Sequence, residues 1–437
     1  MEAPARPTDP SVEDVLLRPL LHTGRAYYVA GGLLLSVILF GAYQWGLQVY
    51  FGVGMTGKTR PVYWGLYLTN YVFFIGISHA GNLISSILRL THTEWRRPLT
   101  RAAEAIAVCG LALGASNVLW HLGRPELAWM PLVHPQFLSP LVWDLIAIST
   151  YLVASSIYLY LPLIPDVALL RERAVKPRWL YRLLALGFSG TPKQKARLEK
   201  AIAVMAVAVI PIAVSVHSVL AWVFGMTLVP MWHSTIIGPY FVVGAIFSGM
   251  AALIIVMAIL RKVLRLEAFM RPSHFNNLGL LLLVMSCVWA YFTFAEHLTT
   301  WYGNVPDEKA VFDARLYGEF APLFWTMVAG CFVLPFPILA FKRTRTVSGT
   351  VLASVFVLAG MWLERFIIVV SSASFPRLAF NWDHGNYHPS LVEISMTAAE
   401  CAAFALFFLV FVKLFPIVSI WEVKEGREAE AHPAAVL

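Results

Sequence analysis

Charge is scarce in this chain. Only 13% of its 437 residues are Asp, Glu, Lys or Arg, whereas 59% are apolar or aromatic; soluble domains carry about 25% charged residues. Length alone would allow two or three water-soluble domains, but this balance excludes them. Cysteine is scarce as well. Cys109, Cys287, Cys331 and Cys401 stand singly in apolar runs and form no CxxC pair. A structural zinc or an iron–sulfur cluster held by this chain is therefore not expected, and the four read as small core residues. No flavin or nucleotide fingerprint occurs either. The first 26 residues are polar and Pro-rich, and the apolar run from Tyr27 to Phe51 is too long for a signal h-region, so no cleaved leader is expected.

What the chain does have is long apolar runs. A span needs roughly 20 such residues. The runs predict an all-α integral membrane protein of about ten transmembrane helices, near 27–52, 62–89, 99–121, 139–164, 198–226, 234–262, 274–301, 321–341, 347–371 and 390–416. Arg178 to Phe188 reads as an amphipathic helix lying in the interface. With the N-terminus in the cytoplasm, 26 of the 33 Lys and Arg fall in cytoplasmic segments. Six (Lys58, Arg60, Arg124, Lys309, Arg315 and Arg377) fall in outer loops, and Arg365 lies inside a span. That asymmetry predicts both termini in the cytoplasm; the expected location is a bacterial inner membrane. It also explains the net charge of +8 as topology rather than nucleic-acid binding.

The spans contain a repeat. Span four opens on Pro140-Leu-Val-Trp143 and span eight on Pro322-Leu-Phe-Trp325, 182 residues apart. Spans two and six both end in Ile-Leu-Arg, at Arg89 and Arg261. The repeat predicts two parallel four-helix bundles, spans 2–5 and 6–9, flanked by one helix at each end. The corresponding units are 1–60, 61–233, 234–371 and 372–437. Asp144 in the first copy corresponds to Thr326 in the second, so the chemistry is expected in the first bundle.

Ionisable groups inside a membrane are costly and point to function. His121, Asp144, His217, Glu296, His297, Glu364 and Arg365 fall in the outer half of their spans; His79, Glu104 and Glu400 continue inward, and Glu393 opens span ten. Glu364 and Arg365 are neighbours on a helix, about 100° apart, and are expected to bind different partners. Quinol oxidation releases two protons and two electrons. A histidine and a carboxylate at interface depth, His121 and Asp144, can take the protons, while Trp120, Trp143 and Tyr151 offer flat surfaces to a ring. With no place for an electron in the chain, the redox centre is expected in a partner on the outer face.

Several stretches together resemble the polysulfide-reductase membrane-subunit (NrfD-like) family. They are Phe74 to Ser85 (FIGISHAGNLIS), Trp120-His-Leu-Gly-Arg-Pro125, Ser139-Pro-Leu-Val-Trp-Asp144, Ser215 to Trp222 (SVHSVLAW) and Trp232 to Gly249. The closing Lys413 to Glu422 (KLFPIVSIWE) resembles the ten-span branch of alternative complex III, the ActC-type subunit. The resemblance implies a quinol-oxidising subunit without haem, using menaquinol, with His121 and Asp144 at the quinol site. It also implies an iron–sulfur subunit on the periplasmic face, a homologous membrane subunit, multihaem c-type cytochromes, and a proton path through His79, Glu104, His217, Glu296, His297, Glu364, Arg365 and Glu400. Val223 stands where the family motif carries Asp, which removes one proton-active carboxylate. Such a chain is not expected to be catalytic in isolation. Three alternatives stay open: the quinone-reactive anchor of a molybdopterin or sulfur-metabolism oxidoreductase, a secondary ion transporter, and a cytochrome b anchor using the single histidines of spans two, three, five and seven.

Overall fold

A computed structural model describes residues 12–173, 175–375 and 387–431; Arg377 lies outside them. Among the described residues the regular structure is helical, with no strand. Ten helices among the described residues are long and apolar enough to cross a membrane. They are α1 (Arg25–Phe51), α2 (Leu66–Leu90), α3 (Thr100–His121), α4 (Pro140–Glu172), α5 (Pro192–Gly225), α6 (Ile237–Val263), α7 (Pro272–Gly303), α8 (Ala321–Ala340), α9 (Val347–Ser371) and α10 (Leu391–Leu414). The chain is a multi-pass integral membrane protein. Proline opens α4, α5 and α7, where its missing N–H would be unpaired anyway. Thr191, Thr346 and Ser390 cap α5, α9 and α10 with their hydroxyls.

Helix α2 packs on α3 and α5, and α4 packs on the same two helices. Likewise α6 packs on α7 and α9, and α8 on α7 and α9. The two sets meet where α2 and α5 lie on α6. The first and last spans pack against each other, beside α2. Along its most apolar window α2 is 94% buried and α1 only 6%, which makes α2 the inner helix and leaves α1 to lipid. Small residues let α2 and α3 approach: a Cβ on Gly81 would come 2.1 Å from the Ala103 carbonyl oxygen.

The two ends of the bundle differ. One end, the terminal face, gathers the chain's own ends. Lys413 donates to the Pro19 and His22 carbonyls. Arg101 pairs with Asp166 at 2.6 Å and donates to the Pro162 and Pro416 carbonyls. Asp166 in turn accepts the Ile420 and Trp421 N–H groups at 3.1 and 3.2 Å. Helix Ile420–Ala431 brings Glu422 between Arg89 (2.7 Å) and Arg96 (3.0 Å). A short helix, Arg178–Leu184, turns Tyr181 inward to the Leu414 carbonyl and leaves Trp179 and Leu183 exposed, the amphipathic pattern its sequence suggests. The opposite end, the far face, carries the Trp120-His121 end of α3 and the start of α4.

Candidate functional site

Helix α3 stops at His121 because Leu122 turns extended ahead of Gly123 and Pro125. Trp120 packs edge-on against Trp45 of α1 at 4.8 Å, and its indole donates to Ser116. Its carbonyl accepts from Gln48, whose own oxygen accepts the Tyr67 hydroxyl at 2.6 Å. The His121 Nδ1 lies 3.1 Å from the Lys58 ammonium nitrogen, which also donates to the His121 carbonyl at 3.2 Å. The His121 Nε2 has no hydrogen-bond partner among the described residues. Lys58 sits in the loop between α1 and α2. The Gly57 N–H ties this loop to Glu393 at 2.7 Å, and a Cβ there would collide with the His388 carbonyl oxygen at 1.9 Å. Glu393 also accepts the Tyr387 hydroxyl and the Ser390 N–H, so one buried carboxylate holds the start of α10 and the Lys58 loop together.

Asp144 lies one turn inside α4, 9% exposed. The Tyr71 hydroxyl of α2 donates to its Oδ2, and its Oδ1 is buried without a partner. A buried carboxyl oxygen left unpaired is expensive unless it carries a proton or meets a ligand. Trp143 is half-buried and donates to the Phe137 carbonyl at 2.6 Å. Tyr151 is fully buried two turns deeper, with its ring 4.8 Å from His79. The Trp120 carbonyl and Asp144 are thus each joined to α2, by Tyr67 through Gln48 and by Tyr71, one helical turn apart.

From Asp144 inward, α2 and α4 are linked by a ladder of polar contacts at a constant offset of 73 residues: Tyr71–Asp144, Ser78–Tyr151, Asn82–Ser155 and Ser85–Tyr158. Two spans separated by a single other span run parallel, so a constant offset follows. The rungs recur at 7, 4 and 3 residues, the period of one helix face. Ser85 also donates to Glu104 at 2.6 Å, next to the Arg89–Glu422 pair. Beside the ladder, His79 lies 2.7 Å from the Ile75 carbonyl and 2.8 Å from that of Ala213. His217 is fully buried, with its ring 4.2 Å from His79 and both ring nitrogens unpartnered. The two imidazoles are too close to admit a haem between them. On the other side of α2, Asn70 joins Thr397, Glu400 and Trp362 at 2.8 to 3.0 Å, leaving the second Glu400 oxygen unpaired.

The remaining ionisable groups belong to the second set. Glu296 accepts from Ser234 at 2.6 Å, and His297 contacts the Thr293 carbonyl. Glu364 accepts from Trp289 at 3.0 Å. Its other oxygen lies 3.0 Å from Arg365, so these neighbours pair with each other, against the expectation that they would bind separate groups. The arginine is long enough to fold back along its own helix, and both residues are 1% exposed, where an unpaired charge is not tolerated. Val223 is half-buried beside an exposed Trp222, so α5 offers no carboxylate there. Sequence reasoning singled out the ionisable groups but missed Lys58, Tyr71, Gln48, Asn82, Ser85 and Glu422. The polar stripe of α2 was visible as Ser, Asn and Tyr recurring at helical spacing inside an apolar run.

Residues 54–377 match the family described as polysulphide reductase, NrfD. The chain belongs to the NrfD family. Three relatives align with it nearly end to end. One, a selenate reductase subunit of Mesobacillus selenatarsenatis, is 28% identical over 408 residues, covering 87% of this chain and 92% of its own. Another, a putative dimethyl sulfoxide reductase membrane subunit of Halobacterium salinarum, is 26% identical, covering 92% and 94%. The third, an Hdr-like menaquinol oxidoreductase integral membrane subunit of Archaeoglobus fulgidus, is 23% identical, covering 92% and 96%. All three are named as parts of reductases or oxidoreductases.

Proposed function

We propose that the chain is the quinol-oxidising membrane subunit of an electron-transfer complex, with its far face toward the periplasm and its terminal face toward the cytoplasm. The observation that carries this reading is the unpaired Asp144 Oδ1, buried one turn inside α4 at the same end of the bundle as His121. Both groups keep a free acceptor or donor position. A quinol is the substrate that supplies two protons to such a pair and suits the surrounding apolar helices. The electrons pass to an iron–sulfur centre in a periplasmic partner. The relative named a menaquinol oxidoreductase subunit favours menaquinol as the quinol. The α2–α4 ladder, with Glu104, His79 and His217 beside it, is a route by which protons exchange between the two faces.

A second reading has its own support: two relatives are named as subunits of dimethyl sulfoxide and selenate reductases. There the same site delivers electrons from quinol to a molybdopterin or sulfur-metabolism enzyme. The proton chemistry at His121 and Asp144 is unchanged. Asp144→Asn in the purified complex tests both readings. Quinol oxidation is expected to fall by about 10²–10⁴-fold, the contribution of a positioned proton acceptor, with assembly unaffected. Wild-type turnover in that variant removes Asp144 from the mechanism.

A further inference from the structure

We infer that Lys58 is the proton acceptor behind His121, and that its charge state decides whether His121 donates to a quinone carbonyl or accepts from a quinol hydroxyl. The inference rests on the quinol reading above and deepens it.

The Lys58 nitrogen lies 3.1 Å from the His121 Nδ1 and 3.2 Å from its carbonyl oxygen. An ammonium has three N–H bonds and no lone pair. While Lys58 is charged, Nδ1 must therefore be the acceptor, and the ring proton sits on Nε2. His121 then presents an N–H to the site, which suits a quinone carbonyl and cannot take a proton from quinol. A neutral Lys58, with a lone pair beside its two N–H bonds, permits the reverse. Its lone pair accepts from Nδ1–H, Nε2 is bare, and the quinol hydroxyl has a base to meet.

The step balances. A quinol O–H breaks as Nε2–H forms, and Nδ1–H breaks as an Nζ–H forms. The second quinol proton goes to the Asp144 Oδ1. The two electrons leave singly to an iron–sulfur acceptor in the partner subunit.

The surroundings of Lys58 allow both charge states. Tyr67 of α2 presents its ring 5.1 Å away, Glu393 of α10 lies close enough to act on its charge, and His121 faces it from α3. Burial pushes the ammonium down to about 8, and Glu393 opposes the shift without cancelling it. The loop is fixed by the Gly57–Glu393 contact, so the amine is held against the ring rather than free to swing away.

A purely structural role, pinning the end of α3 through the His121 carbonyl, makes a different prediction for arginine. Lys58→Arg keeps a cation and its N–H donors but cannot release a proton near neutrality. The test is the pH profile of kcat/KM for a soluble menaquinol analogue, measured on the purified complex with its partner subunits. The wild type is expected to show a limb rising through about pH 8. In Lys58→Arg and Lys58→Met that limb is expected to vanish, with kcat down by ~100-fold. Assembly and binding of an oxidised quinone analogue to Lys58→Arg are expected to be retained. Rescue of both rate and limb by arginine overturns the inference and leaves Lys58 as a structural clamp. A limb that persists in both variants also overturns it, because another group then owns the titration. If the wild-type complex oxidises no quinol, the functional reading fails and Lys58's role falls with it; an active wild type with an unmoved Lys58→Arg profile sinks Lys58 alone.

Discussion

Helices α2 and α6 hold the same place in the two sets of four, and they turn different chemistry toward the axis. From α2, Tyr71, Ser78, Asn82 and Ser85 reach across to Asp144, Tyr151, Ser155 and Tyr158. Aligned on Arg89 and Arg261, α6 has Val243, Met250, Ile254 and Met257 at those positions. Aligned on the shared Pro-Leu-x-Trp, α8 has Thr326, Val333, Pro337 and Ala340. Thr326 satisfies its hydroxyl on the Pro322 carbonyl of its own turn. At these positions the second set does without the ladder, and its buried polar groups lie elsewhere, at Trp289, Glu364 and Arg365. Each polar group on the α2–α4 axis costs desolvation and is tolerated only because it is bonded. The first set carries its ladder between α2 and α4, where the second set has apolar residues or a locally bonded threonine.

The sharpest way to break this comparison is to change equivalent positions in both sets. Asp144→Asn should lower quinol oxidation by about 10²–10⁴-fold. Thr326→Val, its counterpart, should leave the rate within about twofold, as an exposed substitution away from any site does. Equal losses from the two would mean that the sets share the chemistry.

The next largest effect falls on stability, where Arg89 and Arg261 differ. Arg89 is paired with a buried Glu422, whereas Arg261 donates to the Met270 carbonyl. Glu422→Ala leaves Arg89 and Arg96 facing each other and should destabilise the complex by about 3–5 kcal/mol. Arg261→Met should cost about 1 kcal/mol. Thermal inactivation in detergent reads both. Burial raises the Glu422 carboxyl, but Arg89 and Arg96 outweigh it and hold it below the usual range. A carboxyl depressed on folding contributes stability above its unfolded value of about 4.3 and loses it as pH falls through the folded one. The wild type should therefore weaken on acidification below that value, and Glu422→Gln should not show the same dependence.

A smaller effect tests the ladder itself. Asn82→Leu alone strands the Ser155 hydroxyl and should cost about 1–3 kcal/mol. Asn82→Leu with Ser155→Ala makes that rung as apolar as the second set. It should recover most of the stability while slowing proton exchange across reconstituted vesicles. Undiminished exchange in the double variant would remove the ladder from the route.

Much of this was legible in the sequence, and the rest was hidden for definite reasons. The spans are set by hydropathy over about 20 residues, so the first and last agree closely (27–52 against Arg25–Phe51, 390–416 against Leu391–Leu414), whereas the helices of spans four and five run on past their apolar parts, to Pro140–Glu172 and Pro192–Gly225 against 139–164 and 198–226. Asp144 and His121 stood out because a charge or an imidazole in an apolar run is rare. Lys58 did not, because a lysine in an outer loop is ordinary and its contact with His121 spans 63 residues. The ladder partners are uncharged and become notable only when two helices are paired at one offset. The Glu364–Arg365 pair defeated a rule of helix geometry, since directions at Cβ do not bind a flexible side chain.

On the proposed reading, proton chemistry at the first set's far face runs through Asp144. Redox-induced infrared difference spectroscopy of the purified complex, cycled between quinone and quinol, tests it most directly. The account predicts a carboxyl band on quinol oxidation in the wild type, lost in Asp144→Asn and unchanged in Thr326→Val. A band that survives intact in Asp144→Asn would contradict it.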